Sequence, residues 1–125
     1  MGSEMKIVNI NNKKCLTWGY HELAWSRRTC GFPIYLLDKD GKILKTFYSV
    51  KHSGYIELPK DAKYILRTYR TNKGYPSNIL YEITGNEIKA IAHFGRSTTI
   101  EDVLKLPLPE NLKKLIIKET FGQDL

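Results

Sequence analysis

The sequence predicts an α+β protein that is mostly β: an antiparallel meander, a sandwich or a partly open barrel of about seven or eight short strands, followed by two short C-terminal helices. Gly, Asn, Asp and Pro recur at short intervals between segments rich in β-branched and aromatic residues as far as Gly95. After Gly95 the apolar residues follow helical spacing and helix start and stop signals appear. The hydrophobic fraction of 42% and charged fraction of 26% are typical of a globular protein.

The strand predictions depend on these turns and on the composition of the segments between them. Asp40-Gly41 and Gly85-Asn86 are the two strongest hairpin signals. The first separates segments 32–37 and 43–50, and the second separates segments 79–83 and 88–94. Four further strands are predicted at 6–10, 16–25, 55–58 and 64–71.

Segment 64–71 has an unusual pattern, because strand alternation leaves neither of its faces purely apolar. One face would carry Tyr64, Leu66, Thr68 and Arg70, and the other Ile65, Arg67 and Tyr69. Arginine and tyrosine on both faces are more typical of a sheet edge or a binding surface than of a half-buried strand. The pattern therefore predicts an edge strand or an exposed surface here.

The C-terminal region carries signals for two helices. Thr98 and Glu101 fit a capping box, with Thr98 as the N-cap and Glu101 as the third helical residue. Pro107 is predicted to stop this helix. Pro109 is predicted to open the second helix in its first turn, and Gly122 to end it.

Positive charge is concentrated in one part of the chain. Segment 41–80 carries eight lysines and arginines against two acidic residues, in a chain whose net charge is +7. Six aromatic residues lie among these charges: Phe47, Tyr48, Tyr55, Tyr64, Tyr69 and Tyr75. Cations that neutralise phosphates, together with rings that stack on bases, are the combination found in single-strand-binding proteins.

The main functional hypothesis is a non-enzymatic binding protein whose basic, tyrosine-containing β-surface binds a phosphate-bearing partner, with nucleic acid as the preferred partner. Lysine and arginine would hold the phosphates, and Tyr69 or Tyr75 would stack on a base. The predicted binding residues are Lys63, Arg67, Tyr69, Arg70, Lys73, Tyr75, Arg96, Ser97 and Thr98.

Two alternatives belong to other functional classes. A small-nucleotide-binding protein or hydrolase could hold a phosphate at residues 95–98, where Arg96 precedes a predicted helix N-terminus with free N–H groups. An adaptor or inhibitor could instead use the basic face to bind an acidic protein. Abundant Lys, Asn, Ile and Tyr indicate an AT-rich genome, such as that of a low-GC bacterium or its phage, and a phage-encoded protein would suit the adaptor or inhibitor alternative.

The cysteines and histidines do not form a recognisable catalytic or metal-binding pattern. Five residues separate Cys15 from His21 and eight separate His21 from Cys30, whereas zinc sites usually contain closer pairs. Arg27 and Arg28 could lower the pKa of Cys30, but no cysteine-hydrolase signature accompanies it. Buried thiols are the simpler interpretation.

Two other polar positions on the second hairpin could carry chemistry. His93, in an apolar segment, is interpreted as a core or edge histidine. Glu87 and Lys89 resemble half of a metal-dependent nuclease site, which would need further carboxylates around its metal. No catalytic residue, metal or cofactor is predicted, although an enzymatic activity stays open.

The chain is expected to be one globular domain over residues 5–125, with residues 1–4 derived from a vector. The sequence contains no run of about 18 apolar residues, so no membrane span is predicted. Two cysteines are too few for a disulfide scaffold, which indicates a reducing compartment. We therefore expect a cytoplasmic protein.

Overall fold

The computed structural model describes residues 5–18, 32–48, 54–71 and 73–124. These residues form eight strands in two antiparallel sheets, followed by two helices, which confirms the predicted class. The strands are β1 Lys6–Ile10, β2 Lys13–Trp18, β3 Pro33–Leu37, β4 Ile43–Tyr48, β5 Gly54–Glu57, β6 Tyr64–Arg67, β7 Asn78–Thr84 and β8 Glu87–Phe94. The helices are α1 Ile100–Leu104 and α2 Glu110–Phe121.

The strand order is β1-β2-β5 in the smaller sheet and β4-β3-β6-β7-β8 in the larger one. Both predicted hairpins are confirmed, since β3 pairs with β4 and β7 with β8. Gly41 in the β3–β4 turn has a φ of +82°, and a side chain there would collide with the backbone nitrogen of Leu112 in α2. This turn therefore needs glycine both for its conformation and for the close approach of the helix.

The five-stranded sheet is covered on both faces. The three-stranded sheet packs on one face, where the buried side chains are Met5, Leu16, Trp18, Ile34, Leu36, Leu58, Ile65 and Ile83. The helices pack on the other, where the buried side chains are Leu37, Tyr64, Leu66, Leu80, Phe94, Val103, Leu112, Ile116 and Ile117. In the described part of the chain, no helix is long and apolar enough to cross a membrane.

Strand β6 lies in the middle of the five-stranded sheet, so the prediction of an edge strand was wrong. Tyr64, Ile65 and Leu66 are all buried, because one alternating set of side chains meets the helices and the other meets the smaller sheet. The polar residues of the predicted strand come later, from Arg67 onward. Segment 64–71 is therefore apolar on both faces at its start and polar toward its end.

The β6–β7 pairing continues past the last regular strand residues with one unbroken register. Arg67 lies opposite Ile79, and Arg70 forms an isolated bridge with Pro76. The backbone N–H of Ser77 donates to Tyr69 O at 2.9 Å, and that of Thr71 donates to Tyr75 O at 2.8 Å. Side-chain alternation is thus maintained out to the tip of this hairpin.

The other strand boundaries differ modestly from the predictions. Strand β2 begins at Lys13, three residues before the predicted start at 16. Residues 19–25 of the predicted second strand, and residues 49 and 50 of the predicted 43–50 strand, lie outside the described residues. Pairing with β1 extends β2 to Lys13, whereas the pairing with β5 begins at Cys15.

The N-cap of α1 is Thr99, so the prediction of Thr98 was wrong by one residue. Thr99 forms a capping box with Asp102, in place of the predicted box between Thr98 and Glu101. The Thr98 hydroxyl is already engaged, since it accepts the Gly95 N–H at 2.9 Å and closes the preceding turn. A hydroxyl committed to that turn leaves the helix to be capped by the next residue.

Helix α2 ends as predicted, at Gly122, which adopts the left-handed conformation and donates its N–H to Lys118 O. Its start differs slightly from the prediction. Pro109 is the N-cap residue and Glu110 is the first helical residue, so the proline lies just before the first turn. A proline there loses nothing, because the first N–H groups of a helix have no partner within it.

Candidate functional site

Five of the predicted binding residues, Arg67, Tyr69, Arg70, Lys73 and Tyr75, lie toward the tip of the β6–β7 hairpin, whereas Lys63 precedes β6, and Arg96, Ser97 and Thr98 lie in the turn after β8. The unbroken register places Arg67, Tyr69 and Tyr75 on the same face of this hairpin. Arg70 and Pro76 lie on its opposite face. The alternation predicted for Arg67, Tyr69 and Arg70 is therefore confirmed, although the strand is central.

Each of the two tyrosines on this face has an arginine over its ring. The guanidinium carbon Cζ of Arg67 lies 4.7 Å from the ring centroid of Tyr69. The Cζ of Arg96, which follows β8, lies 4.5 Å from the ring centroid of Tyr75. Both distances are within the range of a cation–π contact. We call these four residues the tyrosine–arginine face.

The two tyrosines are diagonal neighbours across the hairpin. Tyr69 lies opposite Ser77, and Tyr75 lies opposite Thr71. Diagonal positions on one face of an antiparallel pair are about 7–8 Å apart. Tyr75 is 37% exposed, and Tyr69 is half-buried. The two tyrosines therefore leave the same hairpin face from neighbouring diagonal positions, and Tyr75 is the more exposed of the two.

Among the described residues, the cations at this end of the hairpin form no ion pair with a carboxylate. Over all the described residues, the ion pairs are Lys13–Glu57, Lys63–Glu82 and Lys113–Glu110. Arg67, Arg70, Lys73 and Arg96 take part in none of these pairs. Lys73 is exposed at the hairpin tip, and Nη1 of Arg70 donates to Gly74 O at 3.2 Å.

Lys63 is the exception among the predicted lysines and arginines. It precedes β6 and lies four residues before Arg67, or about 13 Å along an extended chain. Its Nζ is 3.6 Å from the carboxylate of Glu82 and donates to Ile83 O at 3.4 Å. The structure therefore places Lys63 at the opposite end of the hairpin, where an acid neutralises its charge.

Arg67 has an unusual environment for an arginine. Its Nε is buried and has no hydrogen-bond partner in the described part of the chain. A buried donor without a partner costs free energy, and a guanidinium group has only donors. The contact with Tyr69 favours the cation but does not satisfy this N–H. Arg67 thus has an unused donor at the inner edge of the tyrosine–arginine face.

Arg70 faces a different environment on the other side of the hairpin. It lines a cavity of about 40 Å³ with Asn78 and Glu119, among others. A cavity of this size holds about one water molecule. The Glu119 carboxylate hydrogen-bonds with Tyr35, whose pKa rises from its ordinary 10.0 to about 12, mainly through burial and then through the charge of Glu119.

The turn and helix N-terminus at residues 96–102 do not form an open phosphate cradle. The Thr99 N–H donates to Oδ2 of Asp102 at 2.9 Å, and the Asp102 N–H donates to the Thr99 hydroxyl at 3.1 Å. These hydrogen bonds hold the pKa of Asp102 below its usual value. A carboxylate thus already occupies the helix N-terminus, and Glu101 adds a second negative charge. Ser97 is exposed in the preceding turn.

A serine–histidine contact beside the tyrosine–arginine face was not predicted. The Oγ of Ser77 lies 2.8 Å from Nε2 of His93, which is exposed on β8. Ser77 is buried on the same hairpin face as Tyr75, and its neighbour in β7, Ile79, pairs with His93. Counting outward from the Gly85-Asn86 turn would have placed these two residues on opposite faces, because a register shift between Leu80 and Tyr81 moves the β7–β8 pairing by one residue. The serine–histidine contact joins the hairpin end to β8, the strand that leads to Arg96.

The other residues considered for chemistry stay apart from this face. Cys15 is a buried free thiol in β2, as expected for a structural cysteine, whereas Cys30, His21 and His52 lie outside the described residues. Glu87 and Lys89 are both exposed on β8. Within the described ranges, no three His, Cys, Asp or Glu side chains lie close enough together to hold a metal ion.

Comparison with known proteins gives no family assignment. No protein-family model, no curated protein and no solved structure matches this chain significantly. The function must therefore be inferred from its own residues. The residues whose chemistry best indicates a function are those of the tyrosine–arginine face, with Lys73 beside them.

Proposed function

We propose that this chain is a non-enzymatic nucleic-acid-binding protein that holds phosphates with the tyrosine–arginine face and Lys73. The observation that carries the proposal is the grouping, among the described residues, of cations without carboxylate partners at one end of the β6–β7 hairpin. Only Lys13, Lys63 and Lys113 form ion pairs among the described residues, and exposed lysines elsewhere, such as Lys39 and Lys60, form none either. The cations at this end differ from those lysines in lying beside two tyrosine rings. An anion bound beside Arg67, Lys73 and Arg96 would thus have no internal acid to displace.

The chemistry of these side chains fits a phosphate backbone. Guanidinium groups bind phosphate oxygens through two parallel N–H donors, and lysine adds a flexible point charge. Each cation that neutralises a phosphate also releases condensed counterions, so binding strengthens as salt is lowered.

The shape of the surface favours a chain-like ligand over a small nucleotide. Small-molecule sites are usually enclosed and measure about 300–1,000 Å³. The cavity beside these residues, on the Arg70 side of the hairpin, measures about 40 Å³. The tyrosine–arginine face itself is a row of three hairpin side chains and Arg96 from the turn after β8. Such a row suits a ligand that presents successive phosphates.

Salt-dependent binding measures the proposal directly. We would titrate labelled oligonucleotides by fluorescence anisotropy at several salt concentrations, comparing the wild type with the double variant Lys73→Ala, Arg96→Ala. The wild type should bind with a negative slope of log affinity against log salt. The double variant should bind more weakly to all sequences alike, with a slope shallower by about 0.7–0.9 for each phosphate that is no longer neutralised.

The matched control removes the same charge elsewhere. Lys39 and Lys60 are exposed at the opposite end of the molecule, so Lys39→Ala with Lys60→Ala lowers the net charge equally. This control should retain most of the affinity and the slope. If the wild type shows no salt-sensitive binding to any oligonucleotide, the proposal is wrong, and binding to an acidic protein becomes the better explanation of the basic surface.

A further inference from the structure

We infer that the ligand is an unpaired strand with its bases unstacked, two of them lying on the rings of Tyr69 and Tyr75. This inference rests on the proposed function and adds the class of nucleic acid. Phosphate-binding cations alone would accept single and double strands. The two tyrosines distinguish single from double strands, because a base can stack on a ring only when the face of that base is not covered by a neighbouring base.

The spacing of the two tyrosine positions determines how far apart neighbouring bases of the bound strand must lie. Tyr69 and Tyr75 project from the same hairpin face at diagonal positions, about 7–8 Å apart. Successive bases in a stacked strand are only about 3.4 Å apart. Two neighbouring bases can therefore lie on both rings only if the strand opens to about twice its stacked rise. A duplex cannot open in this way without losing its base pairs.

The rings are held in place before any ligand binds. The backbone at Tyr69 accepts a hydrogen bond from Ser77, whose side chain in turn contacts His93. Each ring is also held by a guanidinium at 4.7 Å or 4.5 Å. Little conformational freedom is lost when a base arrives on such a surface, which favours binding. Guanidinium planes are themselves surfaces on which bases stack.

The arginines also place charge where an opened strand needs it. Arg67 lies over the ring of Tyr69, and Arg96 lies over the ring of Tyr75. Bases that lie on the two rings leave their phosphates at the margin of the row, near these guanidinium groups and Lys73. The arrangement thus combines two stacking positions with cations along one line, as in surfaces that bind single strands.

The test compares single-strand and duplex binding for tyrosine variants. Oligothymidylate, oligouridylate and a DNA duplex of the same length would be titrated against Tyr69→Ala, Tyr75→Ala and the control Tyr55→Ala. Tyr55 is 63% exposed on β5, in the other sheet. Tyr69→Ala and Tyr75→Ala should each weaken single-strand binding by about 5- to 100-fold and leave duplex binding almost unchanged. Tyr55→Ala should change neither.

Conservative variants keep the test independent of folding. Tyr75→Phe retains the ring and should bind single strands almost as the wild type does. Tyr75→Leu retains apolar bulk but removes the ring and should lose affinity like Tyr75→Ala. Melting temperatures measured on the same samples identify any variant that has unfolded. The relative affinities for thymidylate and uridylate show whether DNA or RNA is preferred.

Three results would overturn the inference, and they separate it from the proposed function. Equal losses on single strand and duplex, or equal affinities of Tyr75→Phe and Tyr75→Leu, mean that the tyrosines only support the hairpin. If Tyr55→Ala loses as much single-strand affinity as Tyr75→Ala, the tyrosine–arginine face contributes no more to binding than an exposed tyrosine elsewhere. In these cases salt-dependent binding still supports the proposed function, which fails only if the wild type binds no oligonucleotide.

Discussion

The two ends of the β6–β7 hairpin share one register, but they differ in what covers them. Where Tyr64 lies opposite Glu82, the helices and the three-stranded sheet bury the apolar side chains, and we call this the covered end. From Arg67 and Ile79 onward the exposure increases, since Thr68 and Asn78 are still buried whereas Arg70, Lys73 and Tyr75 are exposed, and we call this the open end. The same strand pair is thus structural at one end and accessible at the other.

The difference extends to how each end accommodates positive charge. At the covered end, Lys63 pairs with Glu82. At the open end, Arg67 and Arg96 lie against aromatic rings. A ring favours a nearby cation without cancelling its charge, whereas a carboxylate does cancel it. Charge at the open end therefore stays available to an external anion, and the number of basic residues alone would not have shown this.

The largest expected effect tests whether the covered end carries the stability. Leu66 is fully buried against the helices, so Leu66→Ala should lower the free energy of unfolding by about 2–5 kcal/mol. Lys73→Ala at the open end should change it by less than about 0.5 kcal/mol. Urea denaturation followed by circular dichroism measures both. Similar losses in the two variants would mean that the open end also belongs to the core.

A second effect, at alkaline pH, depends on Tyr35, which lies opposite Leu66 in the sheet. Burial and Glu119 raise its pKa from 10.0 to about 12 in the folded protein. As pH rises from about 10 to about 12, the unfolded chain loses this proton first, so the free energy of unfolding should fall. Tyr35→Phe should make stability less sensitive to pH in that window. An unchanged pH profile in this variant would contradict the assignment.

A third effect concerns the turn that delivers Arg96 to the open end. Thr99→Ala removes the N-cap of α1 and should cost roughly 1 kcal/mol of stability, measured by chemical denaturation. Thr98→Ala should cost less, since it removes only the acceptor for the Gly95 N–H. A larger loss of stability in Thr98→Ala than in Thr99→Ala would contradict the assignment of Thr99 as the N-cap.

The same cap predicts a dependence on acid pH. Hydrogen bonds from Thr99 lower the pKa of Asp102 in the folded protein. Its contribution to stability is therefore present above the ordinary pKa of 3.8 and is lost as pH falls through the lower folded value. In Thr99→Ala the pKa of Asp102 should move back toward its ordinary value, which NMR titration of the carboxyl group would detect.

A fourth, smaller effect distinguishes the two arginines of the hairpin. Arg67→Ala combined with Arg70→Ala should weaken oligonucleotide binding for all sequences alike, by about fivefold. The single variants should be unequal, with Arg70→Ala nearly silent, because Arg70 lies on the opposite face from Tyr69 and Tyr75. Anisotropy at low and moderate salt decides this. A dominant effect of Arg70 would move the binding surface to the Glu119 side.

The smallest effect is expected at the covered end. The ion pair between Lys63 and Glu82 is partly exposed, and such pairs stabilise proteins by about 0–1 kcal/mol. Lys63→Ala should therefore have little effect on stability and, unlike Arg96→Ala, little effect on binding. Substantial loss of oligonucleotide affinity in Lys63→Ala would show that the binding surface spans both ends of the hairpin.

The sequence by itself determined the class of fold and most of its elements, because the signals involved are local. Asp40-Gly41 and Gly85-Asn86 set two hairpins, and Gly122 ended α2. These residues act through backbone conformations that neighbouring turns require, whatever packs on them later. Alternation along 64–71 likewise followed from strand geometry alone and correctly separated Arg67 and Tyr69 from Arg70.

The tertiary structure decided the features that depend on distant partners. A central position for β6 follows from its pairing with β3, and the burial of both its faces from layers supplied by other segments. Likewise, the separation of Lys63 from the arginines, and the stacking of Arg96 on Tyr75, bring together groups that lie far apart in the chain. Alternation assigns a residue to a face, but only packing determines whether that face is covered, paired with an acid or open to a ligand.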